Sequence, residues 1–314
     1  MRDHFSTYHP LINFIYFVFV IGVGMFLMHP VYLALGLLAA LTYNGVLHGG
    51  KALCKRLFLF VLPMMILVAL LNPLFNHYGV TILFYLRNGN PVTLESMLFG
   101  LAMSVMLCQM VLWFWSYNKV MTSEKLMYLF SRLIPALSLI LAMCMRFIPR
   151  FQKRMEVVRQ GQKCIGRDVS NGSLLRRIRY GIKMLSILVT WSLESALQTA
   201  DSMHSRGYGL PGRTAFSLYR FDKRDRKLAV LMALLMSVFF WTVLQGSTAV
   251  SYDPKIVVEG LPLNVRSSLA FLSYLGICNL PVLVDWASER RWKQQQKTVQ
   301  KSKKGEYRLW TVSD

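Results

Sequence analysis

Few residues in this chain have both the type and the spacing that chemistry requires. The first set is GVLHGGKA, residues 45 to 52, which satisfies Gly-x-x-x-x-Gly-Lys, the spacing of a loop whose backbone N–H groups cradle phosphates. Such a loop follows a strand and ends in a Ser or Thr that holds magnesium. Ala52 stands in that place and an apolar helical run precedes it, so no nucleotide site is expected in this chain. The histidines are His4, His9, His29, His48, His77 and His204, and none has the i, i+4 partner and intervening glutamate of a zinc-bearing helix. His29, His48 and His77 fall near the ends of apolar runs, where interfacial polar residues are expected. No set of Ser, His and acid stands out. The cysteines, Cys54, Cys108, Cys144, Cys164 and Cys278, form no Cys-x-x-Cys pair, which argues against a zinc site or a disulfide framework. Asp285 could mark an ion path, but it falls at the end of its apolar run, where a solvated position is expected. What remains is binding chemistry at Ser205-Arg206-Gly207, which closes the stretch ADSMHSRGYG. An arginine at a helix C-terminus complements the macrodipole, and glycine lets the chain turn away. The guanidinium fork is shaped for a carboxylate on whatever docks there. An ordinary capped helix with a solvated arginine is the alternative.

Composition sets the elements that must hold this tip. The 314 residues are 54% hydrophobic and carry 36 basic against 15 acidic side chains, a net charge of +21. The basic residues lie between long apolar runs, which fits a polytopic membrane protein and argues against a nucleic-acid partner. Crossing the hydrocarbon core takes about 20 mostly apolar residues. The stretches near 11–28, 31–47, 57–75, 96–117, 228–246 and 268–287 come close to that length. His29-Pro30 separates the first two, with proline suited to begin the returning helix. The first run shows no small-residue cleavage site and is expected to be a retained span. Lys51, Lys55 and Arg56 follow the second span, Lys119 and Lys125 the fourth, and Arg290, Arg291, Lys293 and Lys297 the sixth. The intervening loops hold little beyond Arg87, Lys255 and Arg266, so both termini are expected in the cytoplasm.

The expected fold is therefore all-α, a polytopic membrane helix bundle of about six spans with a cytoplasmic insertion. Residues 1–117 would be the N-terminal membrane helices, with an external loop near 76–93. Residues 118–227 would be the cytoplasmic helical region, 228–287 the C-terminal membrane helices and 288–314 a basic tail. In the external loop a β-prone run at 80–86 meets Asn88-Gly89, a pair suited to a hairpin turn.

The insertion is where function is expected. Between Arg146 and Lys183 stand eleven basic residues against Glu156 and Asp168, a surface attractive to anionic headgroups at about 1 kcal/mol per charge, or to an acidic protein. The apolar run at 133–145 is too short to cross unaided. Phe147, Phe151, Met155, Val158, Gln162 and Ile165 recur at three- and four-residue steps, predicting an amphipathic helix from about Arg146 to Ile165. Leu193, Ala196, Leu197, Ala200 and Met203 do the same for a helix from about Trp191 to Arg206. Each stops at a glycine, Gly166 and Gly207, suited to a left-handed cap.

At these two tips the chain resembles the transmembrane T component of energy-coupling factor (ECF) transporters, the family that includes the CbiQ-type cobalt transport subunits. The resemblance lies in LSLILAMCMRFIPRFQKRMEVVRQGQKCIGRD, residues 137 to 168, and SLESALQTADSMHSRGYGLPGRT, residues 192 to 214. It extends to HPLINFIYFVFVIGVGMFLMHP near the start and LNPLFNHYGVTILFYL at 71 to 86. In that family two cytoplasmic coupling helices each end in an Ala-Arg-Gly-like motif. Arg206 and Gly207 match the second, with Ser205 for the alanine. The first departs, with Cys164-Ile165-Gly166 where Ala-Arg-Gly is common and Arg167 one place beyond the glycine.

The resemblance implies a subunit that does no bond chemistry. Two cytoplasmic ATPase subunits, carrying the ATP and magnesium, would grip the coupling helices, and a small membrane S component would carry the substrate, a vitamin or a transition-metal ion. The chain would sit in a bacterial or archaeal cell membrane, in contact with lipid and holding no cofactor or metal of its own. A membrane-embedded enzyme or a stand-alone secondary transporter is the alternative. The latter would more often show internal repeats and polar groups near the bilayer midplane.

Overall fold

A computed structural model of the chain describes residues 3–85, 91–133, 135–167, 173–211, 219–246, 249–252, 256–258 and 264–310, the side chains of 131–138 and 297–310 excepted. Arg87, Asn88, Gly89, Asp168, Lys255 and residues 212–214 of the second quoted stretch lie outside the described residues.

Helix α1 (Pro10–Phe26) and helix α2 (Pro30–His48) begin alike, each with a His-Pro pair. The Nδ1 of His9 accepts the Leu11 N–H at 3.3 Å and that of His29 the Val31 N–H at 3.2 Å, while proline fills the first helical position, where no N–H is missed. His29 is therefore a helix cap at the end of its apolar run, and it is buried. Helix α3 (Gly50–Arg56), a π-helical turn at Leu57–Val61 and helix α4 (Leu62–Phe75) follow as one 26-residue run. Pro63 cannot donate to the Leu59 carbonyl, and the widened turn just before it absorbs that break in the ladder. Strands β1 (Ile82–Tyr85) and β2 (Pro91–Thr93) then pair antiparallel, Ile82 opposite Thr93 and Tyr85 opposite Pro91. Helices α5 (Leu94–Val120), α6 (Ser123–Leu133), α7 (Pro135–Cys164), α8 (Leu174–Ser205) and α9 (Lys223–Leu244) come next. The short strands β3 (Val250–Ser251) and β4 (Val257–Val258) precede the long final helix α10 (Val265–Trp310).

Among the described residues five helices are long and apolar enough to cross a membrane: α2, the run Gly50–Phe75, α5, α9 and the Val265–Gln296 part of α10. Helix α1 is apolar but only 17 residues long, at the short end of what spans. The chain is an all-α, multi-pass membrane protein. It divides into two compact units, one of Met1–Ser123 with Tyr219–Asp314 and the other of Glu124–Leu218.

In the membrane unit α5 packs on α1, α2 and α4, and α10 on α2 and α9. Lipid tails are as apolar as leucine, so these helices hold together through close packing and hydrogen bonds rather than by escaping water. Tyr16, Tyr32, Tyr43, Trp113, Phe239 and Tyr274 are fully or almost fully buried, many of them meeting edge to face, as Tyr32 and Tyr274 do at 5.2 Å. The Tyr16 hydroxyl donates to the Cys278 carbonyl at 3.0 Å, and Asn44 Nδ2 to the Leu112 carbonyl at 3.0 Å. Gln109 on α5 reaches the Tyr274 hydroxyl at 3.4 Å through a gap that Gly24 and Gly36 leave open, where a Cβ on either glycine would collide with its amide. Gly36→Ala is therefore expected to lower the thermal midpoint in detergent, overpacking costing about 1 to 3 kcal/mol. Gly22→Ala, with nothing within 4 Å of the new carbon, should leave the midpoint unchanged or raise it.

Asp285 corrects an expectation. It is not solvated: only 1% of it is exposed, and its Oδ1 accepts the backbone N–H groups of His4 at 2.8 Å and Phe5 at 2.9 Å. The residues before α1 fold back as a 3-10 turn, Phe5–Thr7, which carries Phe5 into the core and lies against the middle of α10 at Asp285.

In the second unit α7 packs on α8. Both helices start earlier than their periodicity suggested, at Pro135 and Leu174 instead of near 146 and 191. The apolar run at 133–145 supplies the opening turns of α7, because no Gly or Pro breaks the chain between Pro135 and Arg146. The predicted stripe of α7, Phe147 to Gln162, is its less exposed side. On α8 the buried residues are Met184, Leu188 and Ser195, while Leu193 and Leu197 of the predicted stripe are 63% and 69% exposed. A two-helix contact covers one stripe per helix, and α8 carries two.

Candidate functional site

The ends of α7 and α8 are built alike. Gly166 has φ +74° and Gly207 φ +77°, backbone that side chains with a Cβ rarely adopt. The Gly166 N–H donates to the Lys163 carbonyl at 3.0 Å and the Arg167 N–H to that of Gln162 at 2.9 Å. At the other tip the Gly207 N–H donates to His204 and the Tyr208 N–H to Met203, both at 3.0 Å. These paired 5→2 and 6→1 bonds make a Schellman motif at each end and satisfy carbonyls that the helix leaves open.

Superposing the two motifs residue by residue puts Ile165 and Arg206 at the same place, the C-cap, both exposed. Ser205 and Cys164 occupy the last helical position, and the Ser205 hydroxyl donates back to the Asp201 carbonyl at 2.9 Å. Arg167 follows its glycine, is half-buried and corresponds to Tyr208, so its guanidinium does not spring from the position that Arg206 holds. One tip is thus cationic at its cap and the other apolar. Arg206 is exposed, and its positive charge complements the negative end of the α8 dipole.

Behind the tips, the guanidinium groups of Arg150 and Arg154 on α7 lie 5.4 and 4.8 Å from the Trp191 ring of α8. The contact bridges the two helices and restrains one against the other. The sequence signal was there in two arginines four apart, but nothing in one sequence named their partner. The exposed pair Glu156 and Arg159, at 3.9 Å, adds little.

The GVLHGGKA stretch is the end of α2, a turn at Gly49 with φ +84° and the start of α3, without the strand a phosphate loop needs. Among the described residues no three His, Cys, Asp or Glu side chains come together to hold a metal, and the five cysteines are free thiols.

No family model matches the chain. Individual proteins do. The energy-coupling factor transporter transmembrane protein EcfT of Listeria innocua is 34% identical over 106 residues, 33% of this chain and 40% of that protein. The EcfT of Lactococcus lactis is 32% identical over 108 residues, 34% of this chain and 41% of its own length, and that of Brevibacillus brevis 30% identical over 106 residues. Over this stretch the chain is similar to ECF transporter T components. The similarity spans about two fifths of the length of the curated relatives it matches.

Proposed function

We propose that this chain is the energy-coupling transmembrane subunit of an ECF-type importer. It passes ATP-driven motion from two ATPase subunits to a substrate-binding S component, for uptake of a vitamin or a transition-metal ion. The observation that supports this most is the pair of matching Schellman tips, one presenting Arg206, on helices pinned to each other through Trp191. A packed helix pair has discrete arrangements, so a displacement at its ends travels as a rigid-body movement. Each tip enters a groove on one ATPase, with Arg206 paired to an acid and Ile165 seated in an apolar contact. The second, uncovered stripe of α8, which includes Leu193 and Leu197, is surface on which the S component rides. ATP and magnesium stay on the ATPase subunits, and both termini of this chain face the cytoplasm of a bacterial or archaeal cell.

Affinity purification of the tagged full-length chain from native membranes in mild detergent tests the reading. Two nucleotide-binding chains and at least one small hydrophobic protein are expected in the eluate, identified by mass spectrometry. Recovery of this chain alone, from cells that express it at its natural level, would sink the assignment.

A further inference from the structure

A groove of about 700 Å³ lies between α3 with its π-helical turn and the C-terminal half of α5, and the coupling role makes no use of it. Its lining changes with depth. At one end stand Lys55, Arg56 and Asn118, and further along both helices come Leu59, Phe60 and Phe114. Lys51 and Lys119 flank the polar end, both exposed, with Lys119 Nζ donating to the Leu47 carbonyl. No acidic residue occurs at 44–60 or 109–120, so this cluster has no carboxylate of its own elements beside it. The Arg56 guanidinium lies 3.8 Å from the centre of the Trp115 ring, against which His48 also stacks at 3.8 Å. Stacking engages the face of the guanidinium and leaves its N–H edge to hydrogen-bond. The apolar end is open sideways: Leu59, Phe60 and Phe114 are 74%, 58% and 48% exposed on a helix pair that spans the membrane. The π turn sits at this level, and such turns recur where a helix presents side chains to a ligand.

We infer that this groove binds an anionic glycerophospholipid, with its phosphate-bearing headgroup on Lys55 and Arg56 and an acyl chain along Leu59, Phe60 and Phe114. Basic pockets between transmembrane helices suit such headgroups. A free phosphate would meet only the polar end and leave the apolar end unfilled. The site depends on the chain crossing a bilayer and not on the coupling role, so its tests read bound lipid and never ATPase association.

The experiment titrates the full-length chain, purified in mild detergent, with phosphatidylglycerol or with phosphatidylcholine of the same acyl chains, counting bound lipids by native mass spectrometry. The wild type is expected to prefer phosphatidylglycerol by about thirtyfold, the weight of two cationic side chains at an anionic headgroup. The double variant Lys55→Gln, Arg56→Gln should lose that preference, whereas Arg226→Gln, Lys227→Gln at the start of α9 should keep it. Equal losses in the two variants would mean general charge attraction and overturn the site, as would displacement of the lipid by inorganic phosphate. A phosphatidylglycerol with a photoreactive acyl chain, applied to the wild type, guards against misfolding of the variant. Its adducts should concentrate at Leu59, Phe60 and Phe114 over the comparably exposed Phe240 and Trp241 of α9. An even spread of adducts, or the same pattern with the phosphatidylcholine probe, would refute the inference.

Discussion

Arg206→Ala is expected to release the ATPase subunits from this chain while leaving it folded in the membrane. The guanidinium stands exposed at the C-cap of α8, so the free chain loses little when it is truncated. In the proposed complex the same group is desolvated against an acid. Truncating one partner of such a pair costs about 2 to 5 kcal/mol, much of it from the carboxylate left buried and unpaired. ATPase recovered by pull-down and substrate uptake should both collapse, with chain abundance and thermal midpoint unchanged. Arg206→Lys should restore only part of the binding, because an ammonium keeps the charge without the fork. Arg167→Ala and Ile165→Ala separate the roles at the other tip. Ile165 shares the C-cap position, so its truncation should weaken ATPase binding by the smaller amount of one buried apolar side chain, about 2 kcal/mol, and Arg167→Ala should have less effect still. Normal uptake in the Arg206→Ala variant would remove the anchoring role, and a larger loss from Arg167→Ala than from Ile165→Ala would reverse the roles assigned at the first tip.

Asp285→Ala is expected to be the most destabilising single change in the membrane unit. The carboxylate Oδ1 alone accepts two backbone N–H groups, from His4 and Phe5, in a place that is 1% exposed, and Phe5 itself is fully buried. Alanine leaves two donors without their acceptor, a loss of about 2 to 6 kcal/mol by the usual penalty of about 1 to 3 kcal/mol for each. Protease access to the residues before α1 and the thermal midpoint in detergent read the effect. Asp285→Asn distinguishes hydrogen bonding from charge: it keeps Oδ1 as acceptor and replaces Oδ2, which has no hydrogen-bond partner. The asparagine variant should lose less than alanine, since the acceptor survives and only one unpartnered amide group, at about 1 to 3 kcal/mol, is buried in place of Oδ2. If alanine proves as stable as asparagine, the fold-back of the N-terminal turn is not held by this residue.

The membrane helices were legible because the bilayer is a demanding solvent: every backbone group must be bonded within a segment, so apolar runs of the right length have one way to fold. All six expected stretches are helical, and their ends lie within a few residues of the apolar runs except where α3 and the tail of α10 extend them with charged turns. The Schellman ends were legible too, because Gly166 and Gly207 each follow an amphipathic run and little but glycine takes that backbone. The starts of α7 and α8 were not. Local periodicity marks where an apolar stripe is clean, and a helix runs on past that point wherever nothing interrupts its ladder. The choice of stripe on α8 also escaped, since two apolar faces on one helix read alike until a neighbour covers one of them.

The amino-acid sequence by itself determined the class of molecule, the positions of the apolar helices, five of them long enough to span, and the two glycine-ended tips, because these follow from local hydropathy, charge and backbone freedom. The tertiary structure alone decided that Trp191 receives Arg150 and Arg154, and that Asp285 is a buried anchor. Those outcomes depend on which residues distant in the chain meet in space, and a pairing of that kind is a property of packed helices that no single segment encodes.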